Sequence, residues 1–416
     1  MTPGAIVVGL GAAGPTIDEA AATAAAVLAG HGLPAAARVL VEDDEAALDC
    51  ALSQKTALTV LVAGPGGSSG DVLRRALARL AGVRLVLSER MLAAQEEASR
   101  RRDRPLARRA DRQALLPQGA TVLPVADGEP AWSLAVGPRL FLVVPFGAAL
   151  ATTLEQHLAP LAQARLGGRQ AGVVRTLRLA GVTLADVEER LAEWLGSGAA
   201  AGEVEVSTLP GEGEVWVRLR ARGATPTAAS EALTAVEAKL APVLAHDCYG
   251  RDGDTLERVV GRLLVERRLT LALAESCTGG LVGHRITSVP GSSAYFERGV
   301  MVYSNRAKEE MLGVSPEILR THGAVSAPCA EAMARGICTA SGAACGVSVT
   351  GIAGPDGGSP AKPVGTVFVG VAVAGEVSAR RFGFSGDRAS IKWQSAQAAL
   401  DLLRRALLAR PVEAPR

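Results

Sequence analysis

The chain has 416 residues, 48% of them hydrophobic and 21% charged, with a formal net charge of +2. Such a length suggests two to four domains with ordinary cores. The near-neutral balance excludes a nucleic-acid surface built on bulk charge, and 3% aromatic content leaves too few rings for base-stacking platforms.

Six cysteines (Cys50, Cys248, Cys277, Cys329, Cys338 and Cys345) form no CxxC pair, and the five histidines are far apart. Neither a disulfide framework nor a structural zinc site is expected, and no metal or cofactor is called for. The start, MTPGAIVVGLGAAG, lacks the basic flank and cleavage site of a secretory leader. No apolar run reaches spanning length, so the expectation is a cytoplasmic protein with no membrane partner and no nucleic-acid partner.

The first elements alternate. GAIVVGL (4–10) reads as a buried strand, an alanine-rich helix covers about 17–30, and AARVLVED supplies a second strand at 36–43. ALTVLVAGPGG (57–67) is strand then glycine loop, DVLRRALARL is a helix, and TVLPV and LFLVVPF at 121–125 and 140–146 finish the domain. This pattern predicts a parallel sheet with helices on both faces, an α/β domain over 1–165. The charged stretch 96–113 reads as a solvated helical face or surface loop.

A different texture follows over 170–248. VVRTLRLAG is a strand, VTLADVEERLAEWLG an amphipathic helix, EVEVSTLPGEGEVWVRLRARG a hairpin, and 226–244 a second helix. Together they predict a small α+β connector with no catalytic constellation.

The third domain, 254–410, opens with a helix and then LALAESCTGGLVGHRI (271–286), a strand, a small-residue turn and a helix. RGVMVYS (298–304) is a strand, and NRAKEEMLG a helix with Asn305 as cap and a glycine stop. Ser315 with Pro316, and later Ser326, start two more helices. CGVSVTGIAGPDGG (345–358) is strand plus glycine loop, and GTVFVGVAVAGEVSARRFGFSG two paired strands. The closing helix starts at Asp387, and the tail PVEAPR is expected to fray.

Chemistry concentrates in this last domain. The SCTGG turn presents Ser276 at a sheet edge, with backbone amides that can hold an oxyanion or attract an anion at the helix start. The same stretch also fits a capping hydroxyl with a packing glycine pair. If Asn305 caps its helix, Lys308 falls in the first turn, where the helix dipole disfavours its charged form and an amine base for a hydroxyl nucleophile results. Tyr303 ends the preceding strand and can relay or donate a proton. Arg388 is likewise a cation at a helix start, suited by its planar fork to phosphate, and the GIAGPDGG loop can close over a ligand.

These segments resemble the CinA family, the competence/damage-inducible proteins whose C-terminal domain is a nicotinamide-nucleotide amidase. The matching stretches, in order, are AESCTGG (274–280), PGSSAYFERG (290–299), VYSNRAK (302–308), HGAVS (322–326), GIAGPDGG (351–358), KPVGTVFVG (362–370) and FSGDR (384–388). The resemblance implies metal-free hydrolysis of nicotinamide mononucleotide to nicotinic acid mononucleotide and ammonia. It makes Ser276 the nucleophile, activated by Tyr303 and Lys308; Cys277 is a rival on chemical grounds, since a thiol is intrinsically the stronger nucleophile. Ser292 and Arg388 join the substrate site, and Thr278, Gly279, Gly280, Asn305, Gly351 and Gly354 are placed with them. The resemblance also implies a homodimer, a molybdopterin-binding-like first domain and a mixed sheet in the last.

In the first domain the family's motifs are altered. A GTELL-type turn is replaced by GLGAAG (9–14), and a TGGLGPTxDD loop by AGPGGSSGD (63–71), which keeps only Asp71 of an acidic pair. An LPGPP-type segment has become VPFGAA (144–149). The missing carboxylate speaks against the family's metal-dependent ADP-ribose pyrophosphatase here, which is kept only as the alternative function, with a non-catalytic nucleotide-binding protein a further one.

Overall fold

Residues of one strand alternate between two cores in the first part of the chain. Ile6, Val8 and Leu10 enter one apolar cluster, while Ala5 and Val7 enter another. A strand whose both faces are apolar must be covered twice, and the helices divide accordingly. The computed structural model describes residues 2–410 other than 12–14, 32, 34, 43, 65–66, 102, 104, 107, 124–129, 148, 167–170, 196–203 and 224. The tail 411–416, expected to fray, lies outside the described residues, as do parts of the GLGAAG, AGPGGSSGD and VPFGAA segments. The chain forms two compact units, Met1–Val174 with Ala221–Glu231, and Arg175–Arg220 with Ala232–Arg416.

In the first unit the strands are β1 (Thr2–Leu10), β2 (Ala35–Val41), β3 (Thr56–Ala63), β4 (Leu85–Leu87), β5 (Leu115–Pro117), β6 (Thr121–Leu123), β7 (Ala131–Val136) and β8 (Arg139–Pro145). Helices are α1 (Pro15–Gly30), α2 (Glu45–Leu52), α3 (Gly67–Ala81), α4 (Glu89–Arg101), α5 (Ala110–Gln113), α6 (Leu150–Thr153) and α7 (Ala159–Leu166). The main sheet runs β2-β1-β3-β8-β7-β6. It is parallel through β8, as expected, and antiparallel at its β7–β6 edge. β7 (AWSLAV) was not anticipated: only two residues separate it from β8, so the pair is a hairpin inside an otherwise crossover-connected sheet. Helix α1 with α6 and α7 covers one face, and α2, α3 and α4 cover the other.

Next comes a four-stranded sheet, β10-β11-β9-β12, built from β9 (Ala171–Ala180), α8 (Leu184–Arg190), β10 (Val204–Gly211), β11 (Glu214–Gly223), α9 (Pro226–Leu244) and β12 (Cys248–Arg251). A reciprocal pair of bonds between Thr183 and Asp186 caps α8, which ends at Arg190, earlier than its apolar pattern suggested. Glu212 and Gly213 turn the hairpin, with Gly213 at φ +76°.

The last part contains α10 (Leu256–Glu266), β13 (Leu271–Glu275), α11 (Leu281–Thr287), β14 (Phe296–Met301), α12 (Asn305–Leu312), α13 (Pro316–His322), α14 (Ala327–Ser341), β15 (Cys345–Gly351), β16 (Thr366–Val373), β17 (Glu376–Gly383) and α15 (Arg388–Leu408). Its sheet, β14-β13-β15-β16-β17, is parallel on the first three strands and antiparallel on the last three, the mixed α/β sheet expected. Helix α14 lies so close to β16 that a Cβ at Gly370 would come within 2.4 Å of the Ala330 carbonyl oxygen. On the other face, Ile391, Ala399, Leu400, Leu403 and Leu407 of α15 are buried. Within this second unit α15 also meets the connector. Trp393 Nε1 donates to the Glu212 carbonyl (2.9 Å), and Arg405 donates to the Ala180 carbonyl (2.7 Å) and pairs with Asp247 (2.8 Å). Among the described residues no helix is long and apolar enough to cross a membrane.

Candidate active site

Two parallel strands end side by side, Glu275 opposite Met301, and the chain that leaves each carries one half of the chemistry. After β13 comes Ser276, held by its amide to the Val349 carbonyl (2.9 Å) and 8% exposed. After β14 come Val302, Tyr303 and the start of α12. The capping residue there is Ser304, whose hydroxyl accepts from the Ala307 amide (3.1 Å), so the expected Asn305 cap is corrected by one position. Ser304 has the extended backbone a cap requires, whereas Asn305 is already helical and exposed.

Lys308, the fourth residue of α12, is 1% exposed and turns its amine inward. Its Nζ lies 3.2 Å from Ser276 Oγ, and donates to the Val302 carbonyl (2.7 Å) and the Tyr303 carbonyl (3.3 Å). Among the described residues no carboxylate pairs with it. Burial disfavours the charged form and lowers the amine's pKa. The direction matches the sequence expectation, and its cause is burial of the amine. A neutral amine has two N–H donors and one lone pair, which suits two carbonyls and one hydroxyl proton.

Arg388, the first residue of α15 after its Asp387 cap, reaches across this cleft. Its guanidinium donates to the Gly354 carbonyl (2.7 Å) and to the Tyr303 hydroxyl (3.3 Å), and among the described residues it has no carboxylate partner. The Tyr303 hydroxyl is thus engaged with Arg388, and among the described contacts it makes no bond to Ser276. Ser276, Cys277, Tyr303, Lys308, Gly351 and Arg388 line a cleft of about 220 Å³, together with Ala324, Val325, Thr350 and Ala353.

Other expected contacts lie elsewhere. Ser292 belongs to the short turn before Phe296, and Phe296 pairs with Leu271 at the opposite end of β13. Five strand residues at about 3.3 Å each separate it from the cleft end, roughly 16 Å. Thr278 is fully buried. The Gly279 amide is bonded to the Ser276 carbonyl (3.2 Å), and the Gly280 amide to Glu275 (3.0 Å). The helix start expected to attract a substrate anion is thus filled by the chain's own carboxylate. Cys277 is 6% exposed, and burial, with a smaller contribution from Glu275, pushes its thiol up to about 12, far from a thiolate at neutral pH. Thr350 and Glu275 were not singled out from the sequence. Glu275 could have been suspected as a charged residue ending an otherwise apolar strand.

Asp71 in the first unit does not fit a divalent metal. One of its oxygens pairs with Arg74 and the other with Arg112, so both acceptor sites face guanidinium groups. The neighbouring cleft, lined by Gly64, Arg74, Gln95 and Trp132 among others, measures about 20 Å³, room for little more than one water. No group of three or more His, Cys, Asp or Glu suited to a metal occurs among the described residues.

A family model described as the CinA C-terminal domain matches residues 253–407, and one described as the damage-inducible protein CinA KH domain matches 174–250. A CinA-like protein from Geobacter sulfurreducens is 40% identical over 405 residues, covering 95% of this chain and 96% of that relative. A CinA-like protein from Geobacter metallireducens is 37% identical with the same coverage of both chains, 95% and 96%. The chain belongs to the CinA family. The crystal structure of competence/damage inducible protein CihA from Agrobacterium tumefaciens is 42% identical over 37% of this chain and 93% of its own, with a TM-score of 0.36. Both halves of the cleft, on Ser276 and on Lys308, fall inside the stretch matched to the CinA C-terminal domain.

Proposed function

We propose that this CinA protein hydrolyses the carboxamide of nicotinamide mononucleotide, giving nicotinic acid mononucleotide and ammonia. The observation that carries this reading is the buried Lys308 amine 3.2 Å from the Ser276 hydroxyl, with no carboxylate among the described residues to hold it charged. Ser276 Oγ attacks the carboxamide carbon, a C–O bond forms, the carbonyl π pair moves to oxygen, and the hydroxyl proton passes to Lys308. Collapse of the tetrahedral species breaks the C–N bond, and the Lys308 ammonium returns that proton to the departing ammonia. Water then attacks the nicotinoyl ester with Lys308 again taking the proton, and Ser276 recovers it as the ester bond breaks.

Arg388 supports the choice of a nucleotide over free nicotinamide. Among the described residues this cation has no carboxylate partner, and at the mouth of the cleft it is able to give paired charge-assisted bonds to a phosphate. Tyr303 bonds Arg388 and so orients the grip. The metal-dependent ADP-ribose alternative is disfavoured by the pairing of Asp71 with two arginines. Incubating the purified chain with nicotinamide mononucleotide, with and without EDTA, tests the proposal. Equal ammonia release in both is expected, and no release in either overturns it.

A further inference from the structure

Glu275 is a carboxylate in the last position of a buried strand, 3% exposed, and among the described residues no cation pairs with it. Its oxygens accept instead from three backbone amides of the turn and helix that follow: Gly280 (3.0 Å), Val282 (3.1 Å) and Gly283 (2.8 Å). Three amide donors satisfy the carboxylate oxygens without a cation.

With Gly279 bonded to the Ser276 carbonyl, the amides after Ser276 divide into those spent inside the turn and those that are not. Among the described contacts the Thr278 amide has no acceptor, and the Cys277 amide meets only the sulfur of its own side chain. Thr278 is wholly buried, and its hydroxyl has no partner either. Cys277 borders the cleft. An N–H directly after a nucleophile, with no acceptor but the weakly accepting sulfur of its own residue, keeps its capacity to pair with an oxyanion during the working cycle.

We infer that Glu275 is a positioning residue that closes the start of α11 to substrate and leaves the Cys277 backbone amide as the donor for the oxyanion formed when Ser276 attacks. The inference rests on the deamidation reading. Its physical content is that covalent attachment fixes the Cys277 amide relative to Ser276 Oγ, while the internal carboxylate fixes the turn that aims it. A donor held this way needs no reorganisation as charge develops.

The test uses the full chain and the aldehyde analogue of nicotinamide mononucleotide, in which –CHO replaces the carboxamide. Ser276 Oγ adds to the aldehyde carbon and its proton moves to Lys308, leaving a hemiacetal oxyanion. Amide resonances of the labelled protein are then compared with and without analogue. The expected result is a downfield move of the Cys277 amide proton, with Gly280, Val282 and Gly283 little changed. Movement of those three with Cys277 unaffected overturns the inference. In parallel, Glu275→Gln is expected to lower kcat by about a hundredfold, the scale of a lost oxyanion donor, with KM within about twofold. A folded Glu275→Gln chain with wild-type kcat contradicts the inference. If that variant does not fold, the resonance comparison on the unaltered chain decides. If the unaltered chain releases no ammonia and forms no adduct, the deamidation reading is what fails. An active chain with the wrong amides moving sinks only the role given to Cys277 and Glu275.

Discussion

Lys308 Nζ lies 3.2 Å from Ser276 Oγ, although 32 residues separate the two in sequence, because each follows the end of one of two adjacent parallel strands. The amine is buried and, among the described residues, is offered carbonyls but no carboxylate, a placement that costs stability and favours the neutral base.

The first prediction concerns that cost. With Lys308 depressed below its ordinary value of 10.5, the unfolded chain binds the extra proton between the two values, so this residue makes stability rise with pH across that window. Below the folded value both states are protonated and the penalty is complete. Lys308→Met removes the charge at similar length. It should raise the thermal midpoint by about 2 °C or more while lowering turnover by roughly 10²–10⁴-fold. Scanning calorimetry and ammonia release on the same sample check both halves.

The same residue sets the pH profile of turnover. Ser276 needs an unprotonated amine, so kcat/KM should climb about tenfold per pH unit and level off where Lys308 loses its proton, below 10.5. Activity falling as pH rises through neutrality would contradict an amine base.

Arg388 and Tyr303 separate binding from chemistry. Arg388→Ala should raise KM for nicotinamide mononucleotide roughly tenfold to a hundredfold, and leave KM for the phosphate-free riboside nearly unchanged. Tyr303→Phe removes only a hydroxyl bonded to Arg388, so a few-fold rise in KM with kcat preserved is expected. A large fall in kcat for Tyr303→Phe would instead restore a direct proton-transfer role for this ring.

Asp71 predicts a structural outcome. Asp71→Ala removes the carboxylate that bonds both Arg74 and Arg112, which should lower stability by about 1 kcal/mol or more and leave ammonia release intact. Denaturant titration and activity assays read the two effects, and isothermal titration of the unaltered chain with Mn²⁺ should show no site at Asp71.

Local order along the chain carried much of this arrangement into the sequence. Strand, small-residue turn and helix were legible around Ser276, as were the caps at Ser315, Ser326 and Asp387, because each depends on neighbours within a few residues. The one-residue error at Asn305 arose where two adjacent residues can both cap and only backbone geometry chooses. Strand β7 escaped notice because it is a hairpin partner in a run of crossovers. The side-chain partners of Glu275 and Tyr303 were not legible either. They follow from burial and rotamer, and the sequence pattern resembled a free helix start that the fold in fact fills. Ser292 illustrates the remaining limit: a motif adjacent in sequence order can lie at the far end of a strand.

The most direct measurement is ammonia release from nicotinamide mononucleotide by the unaltered chain, Ser276→Ala and Cys277→Ala, side by side at matched fold and concentration. The account predicts turnover by the unaltered chain, most of it kept when the Cys277 thiol is removed, and a loss of about a thousandfold or more in Ser276→Ala. Ser276→Ala working at the wild-type rate, or Cys277→Ala alone being inactive, would contradict it.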